Sequence, residues 1–199
     1  MKQIDFIFDF GSPNAYLAHH VLTDIAARTG ARVNPIPCLL GGIFKATGNQ
    51  APMLAFAGIK GKMAYEMLEM RRFIARHGLT RFKMNAHFPV NTLLLMRSAV
   101  AAEQAGFLPA YMAAGFQAMW EDDRKMDEPE IFAEVMDKAG LDAAALLTAV
   151  QDETVKAQLA ANTAAAVERG CFGVPTFYVG DEMFFGKERL VQVEQLLRS

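Results

Sequence analysis

Ser12-Pro13 stands where an apolar, strand-like run gives way to a helical pattern. Serine is a preferred helix cap, because its side-chain oxygen accepts a backbone N–H of the first turn. Proline suits the next position, where the N–H that it lacks would have no partner in any case. A helix start gathers unpaired backbone donors and a partial positive charge, and a hydroxyl beside it adds to the attraction for an anion. A second candidate lies far along the chain in Val174-Pro175-Thr176, where a proline opens a strand pattern, one of the few strand positions that tolerate it. Other reactive residue types are less telling. His19, His20, His77 and His87 have unrelated spacings and read as surface or boundary residues rather than as a catalytic base. Cys38 and Cys171 have no metal-ligand spacing and read as buried, reduced thiols, so no metal is expected. Glu121-Asp122-Asp123-Arg124-Lys125 reads as a solvated turn.

The elements that must position these residues follow from hydrophobic periodicity. Residues 4–10 read as a strand and Gly11 as the turn. Ala15, Leu17, Ala18, Val21, Leu22, Ile25 and Ala26 keep helical spacing up to Gly30. Residues 33–40 read as a second strand, with Pro35 and Pro37 marking an edge or irregular position. The glycine-rich, polar stretch 41–52 reads as a loop long enough to be functional. Helical patterns then cover 62–77, 91–105, 109–120, 129–139, a short segment capped by Asp142, and 153–169. Residues 172–186 read as a hairpin turning at Gly180-Asp181. A last helix presents Leu190, Val193, Leu196 and Leu197 inward.

A strand–turn–helix near the start, paired with a Val-Pro-Thr before a late hairpin, resembles the thioredoxin fold. The resemblance implies a cis-proline facing the start of the first helix. Redox members carry Cys-x-x-Cys there; this chain has Ser12-Pro13-Asn14-Ala15, which leaves no thiol for dithiol exchange. The expected class is α/β, a thioredoxin fold with an inserted all-helical domain of DsbA-like or kappa-class type. Residues 1–43 and 170–199 would form the thioredoxin-like domain, and residues 44–169 the helical insertion with its preceding loop.

Composition narrows the function classes. The chain has 199 residues, 52% of them hydrophobic, enough for a substantial core. Twenty basic residues against 22 acidic ones give a formal net charge of -2, which is no footprint for nucleic acid. No apolar run is long enough to span a bilayer, and the N-terminus lacks the order of a signal peptide, so a cytoplasmic protein is expected. The methionines, with Phe44, Phe88, Phe116 and Trp120, read as core, some of them lining an apolar substrate pocket.

Several segments resemble one family in order along nearly the whole chain. Phe8-Asp9-Phe10-Gly11-Ser12-Pro13 with Tyr16-Leu17 is similar to the opening motif of the 2-hydroxychromene-2-carboxylate isomerases and kappa-class glutathione transferases. So are residues 39–49, Phe88-Pro89-Val90-Asn91-Thr92, Met96-Arg97, Phe172-Gly173-Val174-Pro175-Thr176 and Phe185-Gly186-Lys187-Glu188-Arg189-Leu190. The resemblance implies a homodimer that binds glutathione and a small aromatic or electrophilic acid. Its chemistry would be reversible addition of the glutathione thiolate, as in breakdown of naphthalene-type aromatics. Ser12 is then the catalytic residue, bonded to the glutathione sulfur. Val174, before Pro175, pairs with the cysteinyl unit, Asn49 and Lys62 lie near glutathione and substrate, and Lys187 and Glu188 hold the γ-glutamyl end. The chain departs from the family at Gln50-Ala51-Pro52, where a double proline is common, and at Glu188, where aspartate is common; Lys60 is the alternative to Lys62. A transferase that releases a conjugate, and a glutathione-binding module without catalysis, are the competing readings.

Overall fold

The computed structural model describes residues 2–199. Strand β1 (Gln3–Phe8) is followed by helix α1 (Pro13–Thr29) and strand β2 (Arg32–Pro37). Eight helices come next: α2 (Leu40–Thr47), the single turn α3 (Pro52–Ala55), α4 (Lys62–His77), α5 (Leu93–Gln104), α6 (Leu108–Trp120), α7 (Pro129–Lys138), α8 (Ala143–Ala149) and α9 (Glu153–Glu168). Strands β3 (Thr176–Val179) and β4 (Glu182–Phe185), a 3-10 turn at Lys187–Arg189 and helix α10 (Leu190–Arg198) close the chain. The four strands lie in the order β2-β1-β3-β4, with β1 and β2 parallel and the other pairs antiparallel. This is the α/β thioredoxin-type arrangement that the sequence pattern predicts. β2 is an edge strand, which accommodates Pro35 and Pro37 because their missing N–H groups face no neighbour.

Alternation along β1 divides the interior. Phe6 and Phe8, with Phe10 beyond the strand, are fully buried on one face, and Phe6 stacks on Phe177 of β3 at 5.5 Å. Phe10 meets Phe116 at 4.7 Å and Tyr111 at 5.7 Å, both on α6, so this face runs without a break into the helical block. Gly115 permits that approach, since a Cβ there would stand 2.7 Å from the Phe10 ring. The Trp120 indole N–H donates to the Phe10 carbonyl at 2.8 Å and secures the end of β1 to α6. Ile7 points the other way, into a smaller cluster with Cys38, Ile43, Cys171, Val174 and Tyr178.

Three expectations change. The stretch expected as a loop over 41–52 begins inside α2, because its orphan amides are bonded by distant side chains. Asp9 accepts the Leu40 N–H at 2.8 Å and Thr163 the Leu39 N–H at 3.0 Å, while Gly42 lies so near α9 that a Cβ would meet Thr163 at 3.1 Å. Its glycine therefore serves close packing, not a turn. The charged run after α6 is not wholly solvated: Glu121 is buried, taking the Tyr16 hydroxyl at 2.8 Å and facing Arg81 at 2.5 Å. Leu196 of α10 is only partly buried, whereas Leu190, Val193 and Leu197 face inward as expected. No helix among the described residues is long and apolar enough to cross a membrane.

Candidate active site at the start of the first long helix

Ser12 adopts extended backbone angles and caps α1, its Oγ accepting the Ala15 N–H at 3.2 Å. The same hydroxyl donates to the Val174 carbonyl at 3.3 Å, and the Val174–Pro175 peptide is cis. The two sequence motifs thus meet across the start of the helix. Ser12 is 6% exposed, and no acidic side chain occupies the first turn to offset the positive end of the helix. Asn14, one residue into α1, has a buried side-chain oxygen with no partner.

Asp9 holds this corner from behind. Its fully buried carboxylate accepts the Gly11 N–H and the Leu40 N–H, each at 2.8 Å, and its carbonyl accepts the Ser12 N–H at 3.1 Å. Burial pushes its carboxyl above the ordinary range, and the Leu40 and Gly11 amides with the Thr92 hydroxyl draw it back in part. One side chain therefore fixes both the turn that presents Ser12 and the start of α2. Neither Asp9 nor Asn14 is assigned a role by its residue type alone; the signal for Asp9 is a carboxylate between two phenylalanines at the end of a largely apolar run.

The structure ties Asn49 directly to this corner, reaches Lys187 and Glu188 only through Gly186, and leaves Lys62 apart. Asn49, just past α2, donates its side-chain amide to the Phe172 carbonyl at 2.7 Å and so braces the loop leading to Val174. The Gly186 N–H donates to the Pro175 carbonyl at 2.9 Å, and Lys187 and Glu188 follow directly. Lys187 is only 4% exposed; its ammonium meets the Glu188 carboxylate at 2.5 Å and lies 5.5 Å from the Phe73 ring. Both residues line a groove of about 130 Å³ between α1, α4 and α10 that Arg28, Arg72 and Arg76 also border. Lys62 is apart: it pairs with Glu66 at 2.5 Å and lies over the Phe56 ring at 4.9 Å, and Lys60 is exposed in the turn before α4.

Neither cysteine occupies the activating helix start. Both are buried and unbridged, as expected, and burial pushes the Cys38 thiol up, which keeps it protonated and unreactive. His19 stacks against Phe116 at 5.2 Å, and burial lowers it to about 4, so it is neutral at neutral pH. The corner can bind and stabilise a negative group, and any thiol it activates must arrive with a ligand.

Comparison with known proteins identifies the lineage of this geometry. Residues 3–198 match the DSBA-like thioredoxin domain. A 2-hydroxychromene-2-carboxylate isomerase from Pseudomonas sp. (strain C18) is 32% identical over 193 residues, covering 96% of this chain and 88% of the relative. The chain belongs to the 2-hydroxychromene-2-carboxylate isomerase family. A solved structure of such an isomerase superposes with a TM-score of 0.85 at 28% identity, covering 98% of this chain and 94% of that one. Glutathione S-transferase kappa 1 of Rattus norvegicus is 27% identical, covering 98% of this chain and 91% of the relative.

Proposed function

We propose that the protein is a glutathione-dependent isomerase of 2-hydroxychromene-2-carboxylate type, acting in breakdown of naphthalene-type aromatics. The observation that carries this reading is a buried serine hydroxyl at an unneutralised helix start, 3.3 Å from the carbonyl that precedes a cis-proline, with no cysteine beside it. The residues present fit a thiol tripeptide. Asn14 offers an unused buried acceptor, and Lys187 with Glu188 offers one charge of each sign, which suits the zwitterionic γ-glutamyl end. When bound, glutathione supplies the sulfur nucleophile that adds reversibly to the substrate. Ser12, whose hydroxyl here donates to the Val174 carbonyl, would turn that one donor to the sulfur, and the α1 dipole would favour thiolate over thiol. Val174 aligns the cysteinyl unit through its backbone. Asn49 keeps the Phe172–Val174 loop in place, and Lys62 would have to exchange Glu66 for the anionic substrate to attract it. The chain then contributes orientation and charge stabilisation rather than a nucleophile of its own.

The division into a thioredoxin-like unit, residues 1–43 with 170–199, and a helical unit, residues 44–169, belongs to the same proposal, supported by a sheet whose strands all come from the two chain ends. So do a cytoplasmic setting and a homodimer, the latter supported by the exposed apolar side chains of Met53, Leu54, Ile59 and Tyr65 around the start of α4.

A kappa-type transferase is the second reading, favoured by the match to the rat protein. Incubating the pure protein with glutathione and 2-hydroxychromene-2-carboxylate separates the outcomes. Isomerisation without loss of glutathione is expected. A released conjugate would make it a transferase, and no turnover at all would leave a binding module.

A further inference from the structure

A groove of about 370 Å³ opens between α2, α5 and α9. That volume lies in the range of small-molecule sites, roughly 300–1,000 Å³. None of Ser12, Asn49, Val174 or Pro175 lines it. Its walls are Leu39 and Ala46 from α2 and its cap, Leu93 from α5, and Leu159 and Val167 from α9. Gly42 and Thr163 also line it, where α2 comes so near α9 that a Cβ on Gly42 would lie 3.1 Å from Thr163.

Two cations border this apolar space. Lys156 is already paired with Glu153 at 2.7 Å. Arg97, one turn along α5 from Leu93, is not: among the described residues no carboxylate lies within ion-pair distance of it. Arg124, the other partly buried arginine, pairs with Glu134 at 2.6 Å. A partly buried guanidinium facing leucines has lost some of its water and gained no counter-charge, so an incoming anion meets little competition. Met96-Arg97 was also among the sequence motifs, and nothing in the Ser12 corner uses it.

We infer that this groove is a second binding site, for a monocarboxylate with a flat or short apolar body, and that Arg97 receives the carboxylate. The leucine and valine walls take the hydrocarbon. One unpaired cation matches one negative charge, whereas a phosphate or dicarboxylate would leave excess charge against apolar walls. The site stands independently of the glutathione reading, because its lining excludes that corner.

Calorimetric titration with 2-naphthoate, run with glutathione at saturating concentration, tests the inference. Wild type binds 2-naphthoate, and the neutral 2-naphthamide binds at least tenfold more weakly. Arg97→Met weakens 2-naphthoate binding roughly 10- to 100-fold, the loss expected for a charge-assisted pair, while Arg97→Lys keeps part of it. Ser12→Ala leaves binding unchanged. Unaltered binding in Arg97→Met, loss of binding in Ser12→Ala, or no binding by wild type at millimolar ligand would each overturn the inference. Sedimentation velocity covers the remaining occupant: if Arg97→Glu converts a dimer to a monomer, a second copy of the chain fills the groove and the carboxylate site is rejected.

Discussion

The proposed function gives Ser12 two roles that a substitution can separate. As a helix cap it contributes about 1 kcal/mol to stability, and as the proposed donor to a thiolate it would contribute roughly 1.5–3 kcal/mol to binding of the charged form. Ser12→Ala should therefore fold, yet slow isomerisation about 10- to 150-fold and raise the apparent pKa of the bound thiol. The pH–rate profile and the thiolate absorbance of the glutathione complex measure both effects; unchanged values would leave Ser12 a cap alone. The cysteines give the complementary test. Cys38 is kept protonated by burial, and Cys171 donates to the Gly173 carbonyl at 3.1 Å inside the smaller core cluster. Replacing both with alanine should leave turnover within several-fold, and total loss in a folded double variant would mean that the chain supplies a reactive thiol itself.

At the scale of elements, the site depends on how α6 and α2 are pressed against the sheet. Gly115 is the tightest of these contacts, because the Phe10 ring that a Cβ would strike is fully buried between Phe8, Tyr111 and Phe116. Gly115→Ala should cost about 1–3 kcal/mol, a fall of roughly 3–10 °C in Tm by calorimetry. Gly42→Ala should cost less, since Thr163 Cγ2 lies at 3.1 Å from the added carbon rather than 2.7 Å, although bonds to Leu39 and Leu159 hold that side chain in place. An undiminished Tm in Gly115→Ala would show that α6 can lift away from β1 without penalty. The edge strand β2 needs no such fit, which is why two prolines survive in it.

For the whole molecule, the core around Phe6, Phe8 and Phe10 continues through Phe116 and Trp120, so sheet and helices share one interior. Titratable groups in that interior and at its surface make stability depend on pH. Burial lowers His19 to about 4 from an ordinary 6.5, so the unfolded chain takes up its proton first. The associated stability is full above pH 6.5 and falls away as pH drops toward 4, by about 2–3 kcal/mol in all. Glu194, held to about 2 by hydrogen bonds from Arg28 and Arg198, acts in the same direction from its ordinary 4.5 downward, though it is a surface network that solvent screens. Asp9 opposes them: burial raises its carboxyl, so its contribution favours the folded state at low pH and is lost as pH rises through that raised value. Tm should therefore fall between pH 7 and pH 4, and His19→Phe, which keeps the stacking on Phe6 and Phe116, should flatten the slope. An equally steep slope in that variant would assign the acid loss elsewhere.

Local chemistry alone determined the helix start at Ser12-Pro13, the edge position of β2 and the long helices, since capping, missing proline N–H groups and 3.6-residue periodicity all act within a few residues. Val174-Pro175 stands out in the same way, as a proline at a strand entrance, whereas Asn49 and the Lys187-Glu188 pair are expected only from the resemblance to a known family. Tertiary structure decided the rest. Residues 40–47 are helical because Asp9 and Thr163, distant in sequence, bond the amides at their start. Glu121 is buried because Tyr16 and Arg81 come from other elements to meet it. Lys62 turns to Glu66 and Phe56, partners that its position at a helix start does not fix. A hydrogen bond between residues far apart in the chain leaves no periodic trace, so only the folded arrangement assigns it.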